Sequence, residues 1–406
     1  MKILDGGVTS PLGYQATGAA VGIKQGVKDL AMIVSDCPAK CAGAFTTNRV
    51  KAASVMRNME VLAQKGPVRG IVVNSGNANA CTGKKGLLDN EEMAKTFGEC
   101  IKVPPSQILT ASTGVIGAML PMDIVTNGIR KTAPALGSAR EDARLAAEAI
   151  MTTDTYSKEI AVEIELGGKT ARIGGMCKGS GMIHPNMATM LAFVTTDAAI
   201  SQTLLDKAVK ACIGDTYNMI SVDGDTSTND TLLVLANGMA GNPEMIEENE
   251  DYQIFAAALY EVNAFLAKNL AKDGEGATKL ITVQVAGAAT KKDARVLAKA
   301  VVGSSLVKAA MFGEDANWGR VICAMGYSGA DFDPACVDIS FESAKGRILL
   351  MDRGTPLVFD EEKAAEILSE KEIVIDIQVF AGAEKAVAWG CDLSYDYVRI
   401  NGDYRS

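Results

Sequence analysis

The chain has 406 residues, room for two or three domains, and carries 40 basic against 49 acidic side chains for a formal net charge of −9. That balance excludes a nucleic-acid backbone as partner, since such binders need a basic face, but it admits a small anionic substrate in a local pocket. Charged residues at 22% with no long tract of one sign exclude disorder, and 40 glycines amid many aliphatic residues suit a folded α/β protein with tight turns.

The start, Met1-Lys2-Ile3-Leu4-Asp5-Gly6-Gly7, has no basic segment followed by an apolar one, so no signal peptide is expected. No run approaches the roughly 18 apolar residues needed to cross a bilayer. Nine scattered cysteines, an odd number, read as reduced thiols of a cytoplasmic protein. Cys37 and Cys41 come nearest to a metal motif, but no second Cys or His pair follows at a useful distance, and no metal is expected.

Taken in order, Ile108–Ala111 reads as a strand that runs into Ser112-Thr113-Gly114, an ordinary turn on its own evidence. A helix is predicted from Ser138, with Glu141 completing a capping box, through Leu145, Ala146, Ala149 and Ile150. It ends in the polar run Thr152-Thr153-Asp154-Thr155. Val162, Ile164 and Leu166 then alternate with Glu163 and Glu165, and Gly167-Gly168 turns the chain into Thr170–Ile173, a hairpin signal. Apolar strands are predicted at Met190–Val194, Leu232–Ala236 and Leu280–Val285, and helices at Leu204–Ile213, Tyr252–Leu270 and Asp293–Val302. Near the end, a strand at Ile373–Phe380 is interrupted by a turn at Ala381-Gly382 and resumes at Ala386–Trp389. Alternating elements without repeats predict a layered α/β sandwich of sheets and helices.

Two motifs fail on inspection. Gly168-Lys169-Thr170 resembles the end of a phosphate-binding loop, but Glu163 stands where its first glycine belongs. Asp223-Gly224-Asp225-Thr226-Ser227 resembles the start of a calcium loop, but Thr228 and Val234 replace the required Gly and Glu.

The stretch Lys178-Gly179-Ser180-Gly181-Met182-Ile183-His184-Pro185-Asn186-Met187-Ala188-Thr189-Met190-Leu191 is more unusual, because a polar, glycine-containing loop delivers Thr189 to the head of an apolar strand. By itself, a threonine there is a β-branched residue in its favoured place. His184 is the only histidine, and a loop residue bonded to its neighbours is the preferred reading. Without histidine, an enzyme needs another near-neutral base. A free α-amino group, with a pKa of about 7.7–8.0, is one, and an N-terminal Thr carries hydroxyl and amine together.

Over essentially its whole length the chain resembles the glutamate N-acetyltransferase family, also called ornithine acetyltransferase. The resemblance rests on Pro11-Leu12-Gly13-Tyr14 with Gly22-Ile23-Lys24, Ala42–Ala53, Asn74–Gly83, Ser112-Thr113-Gly114-Val115-Ile116-Gly117, Met151–Thr155, Lys178–Leu191 and Gly313–Arg320, in that order. It implies a self-processed fold of the N-terminal-nucleophile type, cut between Ala188 and Thr189 into chains 1–188 and 189–406. It further implies Thr189 as nucleophile, with the Thr113 hydroxyl and Gly114 N–H as oxyanion donors. Substrate contacts implied are Thr152, Lys178, Thr189, Glu275, Asn401 and Ser406. Thr152 is chosen over its neighbour Thr153 by its 26-residue distance from Lys178. Family members commonly end in Thr, and Ser406 keeps the hydroxyl without the methyl.

The reaction implied is transfer of acetyl from N-acetylornithine to glutamate in arginine biosynthesis, through an acetyl-Thr189 intermediate and without a cofactor. The bifunctional form of the family also takes acetyl-coenzyme A as donor. The resemblance implies a cytoplasmic heterotetramer of two chains of each kind, with small-molecule substrates and neither nucleic-acid nor membrane partners. The rival enzyme reading is a self-processing aminopeptidase or amidase of related fold, which passes the acyl group to water. A binding scaffold, the reading outside catalysis, rests on the cysteines alone.

Overall fold

A computed structural model describes residues 1–184 and 190–403. The strands in the first half are β1 (Lys2–Leu4), β2 (Tyr14–Ala19), β3 (Leu30–Phe45), β4 (Val68–Asn77), β5 (Ile108–Val115), β6 (Lys158–Leu166) and β7 (Lys169–Lys178). Beyond them lie β8 (Leu191–Thr196), β9 (Ile220–Ser221), β10 (Thr231–Ala236), β11 (Leu280–Ala288), β12 (Asp338–Ser343), β13 (Gly346–Asp352), β14 (Thr355–Pro356), β15 (Glu372–Gln378) and β16 (Glu384–Cys391). The helices are α1 (Ala53–Ala63), α2 (Gly83–Ile101), α3 (Met122–Thr132), α4 (Arg140–Ala149), α5 (Gln202–Asp215), α6 (Glu250–Lys272), α7 (Lys291–Gly303), α8 (Ser305–Phe312), α9 (Trp318–Gly326), α10 (Glu361–Leu368) and α11 (Tyr395–Asp403).

β8 and β10 decide the architecture, because every residue of both is buried. Strands of that kind need cover on both faces. They pair in parallel at the centre of a large sheet ordered β1-β6-β7-β8-β10-β3-β4-β5, with β2 also on β3. Side chains alternate between its faces. Phe193, Leu233 and Leu235 join a core with Ala143, Ala146 and Ala147 of α4. Ala192, Val194, Leu232 and Val234 join the largest core, with α5 and α6. The second sheet, ordered β14-β13-β12-β15-β11-β16-β9, closes that core from the other side. Sheet, helices and sheet thus make the layered α/β sandwich that the alternation of elements predicts.

The Gly167-Gly168 hairpin forms as expected. Leu166 pairs with Lys169, and both glycines have positive φ, +53° and +73°, as a two-residue turn between twisted strands requires. The same turn is where the phosphate-loop resemblance fell, so those residues cap a hairpin. The predicted β8, β10, β11, α5, α6 and α7 all appear, with ends within three residues of those expected.

Three local readings are corrected. The helix expected from Ser138 starts later: Ala139 is its N-cap, and Asp142, in place of Glu141, accepts from the Ala139 N–H at 2.9 Å. The cause is upstream, where Gly137 is tied to Ala16 of β2 through reciprocal backbone bonds and stays extended. Ser112-Thr113-Gly114 is no turn but the second half of β5, paired with Asn74–Gly76 of β4. Finally, the strand expected from Ile373 to Phe380 ends at Gln378; it and β16 flank β11, one parallel and one antiparallel. Among the described residues no helix is long and apolar enough to cross a membrane.

Candidate active site

Four segments distant in sequence converge near the start of β8. The first is the end of β5. Gly114 has φ +132°, and a Cβ there would lie 2.3 Å from the Gly76 carbonyl carbon, so only glycine lets β5 approach β4 this closely. Buried amides fix this corner. Ser112 donates to Asn74 Oδ1 at 2.7 Å, and Asn229 Nδ2 bonds the Ser112 and Ala78 carbonyls at 2.7 and 2.6 Å. Thr113 and Gly114 are thereby presented at the wall of a cavity of about 160 Å³.

The second and third segments are the loop after α4 and the end of β7. Lys178, only 8% exposed, donates to Thr152 Oγ1 at 2.7 Å and to Thr113 Oγ1 at 3.3 Å. Burial lowers its pKa, the Asp154 carboxylate works against that, and Lys158 adds to it. The lysine is desolvated and faces the cavity, where a carboxylate would be a good partner. Adjacent Thr153 bonds Ser180 Oγ at 2.6 Å instead, so of the two threonines Thr152 is the one that holds Lys178.

The fourth segment is the turn after α6. The Glu275 N–H donates to the Ser180 carbonyl at 2.8 Å, and its carboxylate accepts from Asn401 Nδ2 of α11 at 2.8 Å. Both line the same cavity as Thr113, Gly114, Thr152 and Lys178, together with Met190 and Leu191. A buried lysine and a carboxylate therefore share one small polar space. Thr189, Ala188 and Ser406, the remaining expected residues, lie outside the described residues.

Below the cavity sits a cluster that sequence reading missed. Lys158 Nζ, with a side chain fully removed from solvent, lies 2.7 Å from Asp154 Oδ1 and 2.6 Å from Asp273 Oδ2. Asp154 also accepts from the Gly179 N–H at 2.7 Å and the Thr152 N–H at 3.0 Å. Burial alone would raise the Asp154 carboxyl, but Lys178 and Lys158 outweigh it and hold the group at about 2. Asp273, two residues before Glu275, accepts from the Thr155 N–H at 3.0 Å. The only signal in the sequence was spacing: Asp154 and Lys158 are four apart, as are many surface pairs.

His184 is structural in its contacts. Its Nδ1 is 2.9 Å from Ser221 Oγ, and its carbonyl accepts from the Thr226 hydroxyl at 2.8 Å. Burial, with Lys299 and Lys308 adding repulsion, lowers its pKa to about 4, so it is neutral at physiological pH. Asp223, from the failed calcium motif, caps the Met182 and Ile183 N–H groups at 2.6 and 2.8 Å. Cys37 and Cys41 both lie on β3; the first donates to the Asn237 carbonyl and the second is buried, its thiol pKa pushed up.

A sandwich of this kind with an expected oxyanion pair and a charged amino-acid-sized pocket belongs among the acyltransferases. The family follows from comparison. The model of the ArgJ family matches residues 15–406. The chain is 54% identical to the arginine biosynthesis bifunctional protein ArgJ of Caldanaerobacter subterraneus subsp. tengcongensis over 406 residues, all of both chains. It is 52% identical to the corresponding Clostridium acetobutylicum protein over 97% of this chain and 96% of that one. The crystal structure of Bacillus halodurans ArgJ superimposes with a TM-score of 0.50 at 47% identity, covering 52% of this chain and 98% of its own. The chain belongs to the ArgJ family.

Proposed function

We propose that this enzyme transfers the acetyl group of N-acetylornithine to glutamate, in arginine biosynthesis, by a two-step cycle through Thr189. The observation that carries the reading is the convergence of Thr113, Gly114, Thr152, Lys178, Glu275 and Asn401 on one cavity also lined by Met190, the residue after Thr189. In the proposal the chain first cuts itself between Ala188 and Thr189. Support comes from the Bacillus halodurans relative, whose crystallised chain matches only 52% of this one. A fragment of 218 residues out of 406 is close to that share.

The freed amine of Thr189 then acts as base for its own hydroxyl, which attacks the acetyl carbonyl. Thr113 Oγ1 and the Gly114 N–H stabilise the oxyanion. Lys178 pairs with a substrate carboxylate, Glu275 with an ammonium, and Asn401 and Ser406 complete the contacts. Ornithine leaves, and the glutamate amine takes the acetyl group. We include in the proposal acetyl-coenzyme A as a second donor, no bound cofactor, a cytoplasmic location and an assembly of two chains of each kind.

The test supplies N-acetylornithine with and without glutamate. Glutamate-dependent release of ornithine with equimolar N-acetylglutamate, and an acetylated Thr189 peptide when glutamate is withheld, are expected. Release of free acetate at the same rate with or without glutamate would establish the amidase reading instead.

A further inference from the structure

Self-cleavage has a chemical difficulty that turnover lacks. Before the cut the Thr189 nitrogen is an amide, so the amine that serves as base in the mature enzyme does not yet exist. Some other group must take the hydroxyl proton and deliver one to the departing nitrogen. His184 is committed to Ser221 and the Thr226 segment, and Lys178 Nζ is taken up by Thr152 and Thr113.

Asp230 is placed for this task. It immediately precedes β10, whose Thr231 pairs with Leu191 and donates its N–H to the Met190 carbonyl at 2.8 Å. The register therefore sets Asp230 beside Met190, one residue from the scissile bond. Its own carbonyl accepts from the Thr46 N–H at 3.1 Å, which pins the backbone. The residue is 2% exposed and lines the cavity, yet its Oδ2 is buried with no hydrogen-bond partner among the described residues. An orphaned buried oxygen at a reaction site calls for an explanation. Burial raises its carboxyl pKa well above the usual range, more than the Ser227 and Thr46 bonds, the Lys178 charge and the Met190 N–H can offset. A buried carboxyl shifted upward in this way can take up a proton and hand it on.

We propose that Asp230 is the acid–base catalyst of self-cleavage, a role that rests on Thr189 being the nucleophile. The Thr189 Oγ–C bond to the Ala188 carbonyl forms while the hydroxyl proton passes to the Asp230 carboxylate. The C–N bond then breaks as Asp230 gives that same proton to the nitrogen. Asp230 ends as it began, an ester and a free amine have replaced an amide and a hydroxyl, and water hydrolyses the ester to leave the Ala188 carboxylate. Once the amine exists, Asp230 has done its work.

The experiment follows precursor disappearance by intact mass in Thr189→Ala, Asp230→Asn and Asp230→Ala. Thr189→Ala should never process; if it does, the nucleophile reading itself falls. Asp230→Asn should process at least about 100-fold more slowly than the unaltered chain, the usual scale of a lost acid–base group, with a melting temperature near that of the uncut Thr189→Ala protein. Asp230→Ala should regain cleavage as formate is added, because the small acid can occupy the space vacated. Processing of Asp230→Asn within a few-fold of the unaltered rate, while Thr189→Ala stays intact, would overturn the role of Asp230 alone. If Asp230→Asn does not fold, the formate series decides: cleavage that rises with formate upholds the role, and none removes it.

Discussion

Thr152 and Lys178 are held together twice: Lys178 Nζ bonds Thr152 Oγ1 at 2.7 Å, and Asp154 ties the Thr152 N–H to the Gly179 N–H. The loop after α4 and the end of β7 thus enter the cavity as one unit. The same Asp154 reaches Lys158 and, through it, Asp273, which leads into Glu275. The two side chains, Lys178 and Glu275, that line the cavity stand on one buried foundation.

The mature protein is expected as fragments of about 20 and about 23 kDa, scaled from the 188 and 218 residues on either side of the cut. Edman sequencing of the larger should begin Thr-Met-Leu-Ala-Phe. Thr189→Ala should remain one band and lack transfer activity, because one hydroxyl serves both reactions. Transfer by that variant at about a tenth of the normal rate, far above what a lost nucleophile permits, removes Thr189 from the mechanism.

Thr113→Ala should lower kcat by about 10²–10³-fold, the usual cost of one oxyanion donor. The Gly114 N–H remains, so activity falls without vanishing, and KM for N-acetylornithine should change little. Lys178 keeps its bond to Thr152, so the melting temperature should barely move. Steady-state kinetics per folded site, with the melting curve beside them, test this; an unchanged kcat excludes the donor role.

Glu275→Gln keeps the shape and the bond from Asn401 but removes the charge. A hydrogen bond to a charged group is worth about 1.5–3 kcal/mol, so kcat/KM for N-acetylornithine should fall by roughly 10- to 150-fold. Asn401→Ala should fall less. Equal kcat/KM for Glu275→Gln and the unaltered enzyme means that Glu275 meets no substrate cation.

Acid should weaken the protein through Asp154. Its folded pKa of about 2 lies below the ordinary 3.8, so the carboxylate stabilises the fold above about pH 4. That contribution, on the order of 2 kcal/mol, is lost as pH falls from about 4 towards 2. Asp154→Asn should be less stable at neutral pH and show a flatter melting-temperature profile in that window. Parallel profiles for the two proteins refute the assignment.

Much of this was legible in the residues. β8 and β10 announced themselves as continuous apolar runs because both faces are covered, and Gly167-Gly168 because the turn needs two positive φ angles. α1 and α2 gave no start signal: neither Ala52 nor Thr82 caps its helix with a side-chain bond. The resemblance named Thr113, Lys178 and Glu275, but nothing local could show that residues 65 apart share a hydrogen bond. Lys158 was invisible for the opposite reason. It looks like a surface lysine in sequence, and only the arrival of distant Asp273 beside Asp154 reveals why it is buried.

The order of strands in the large sheet outlasts the site it carries. β8 lies between β7 and β10, and β10 lies between β8 and β3, so strands from before and after residue 188 are interleaved. A chain cut there after folding is two molecules sharing one sheet, each holding the other's unpaired edges. The uncut chain finds its partner strands within itself, at a rate independent of concentration. The cut pair, once unfolded, must meet by diffusion, and renaturation becomes second order in protein. Cleavage would therefore act as a ratchet on folding: it leaves the native contacts in place but removes the easy route back to them, so the mature enzyme endures by slow unfolding more than by ready refolding.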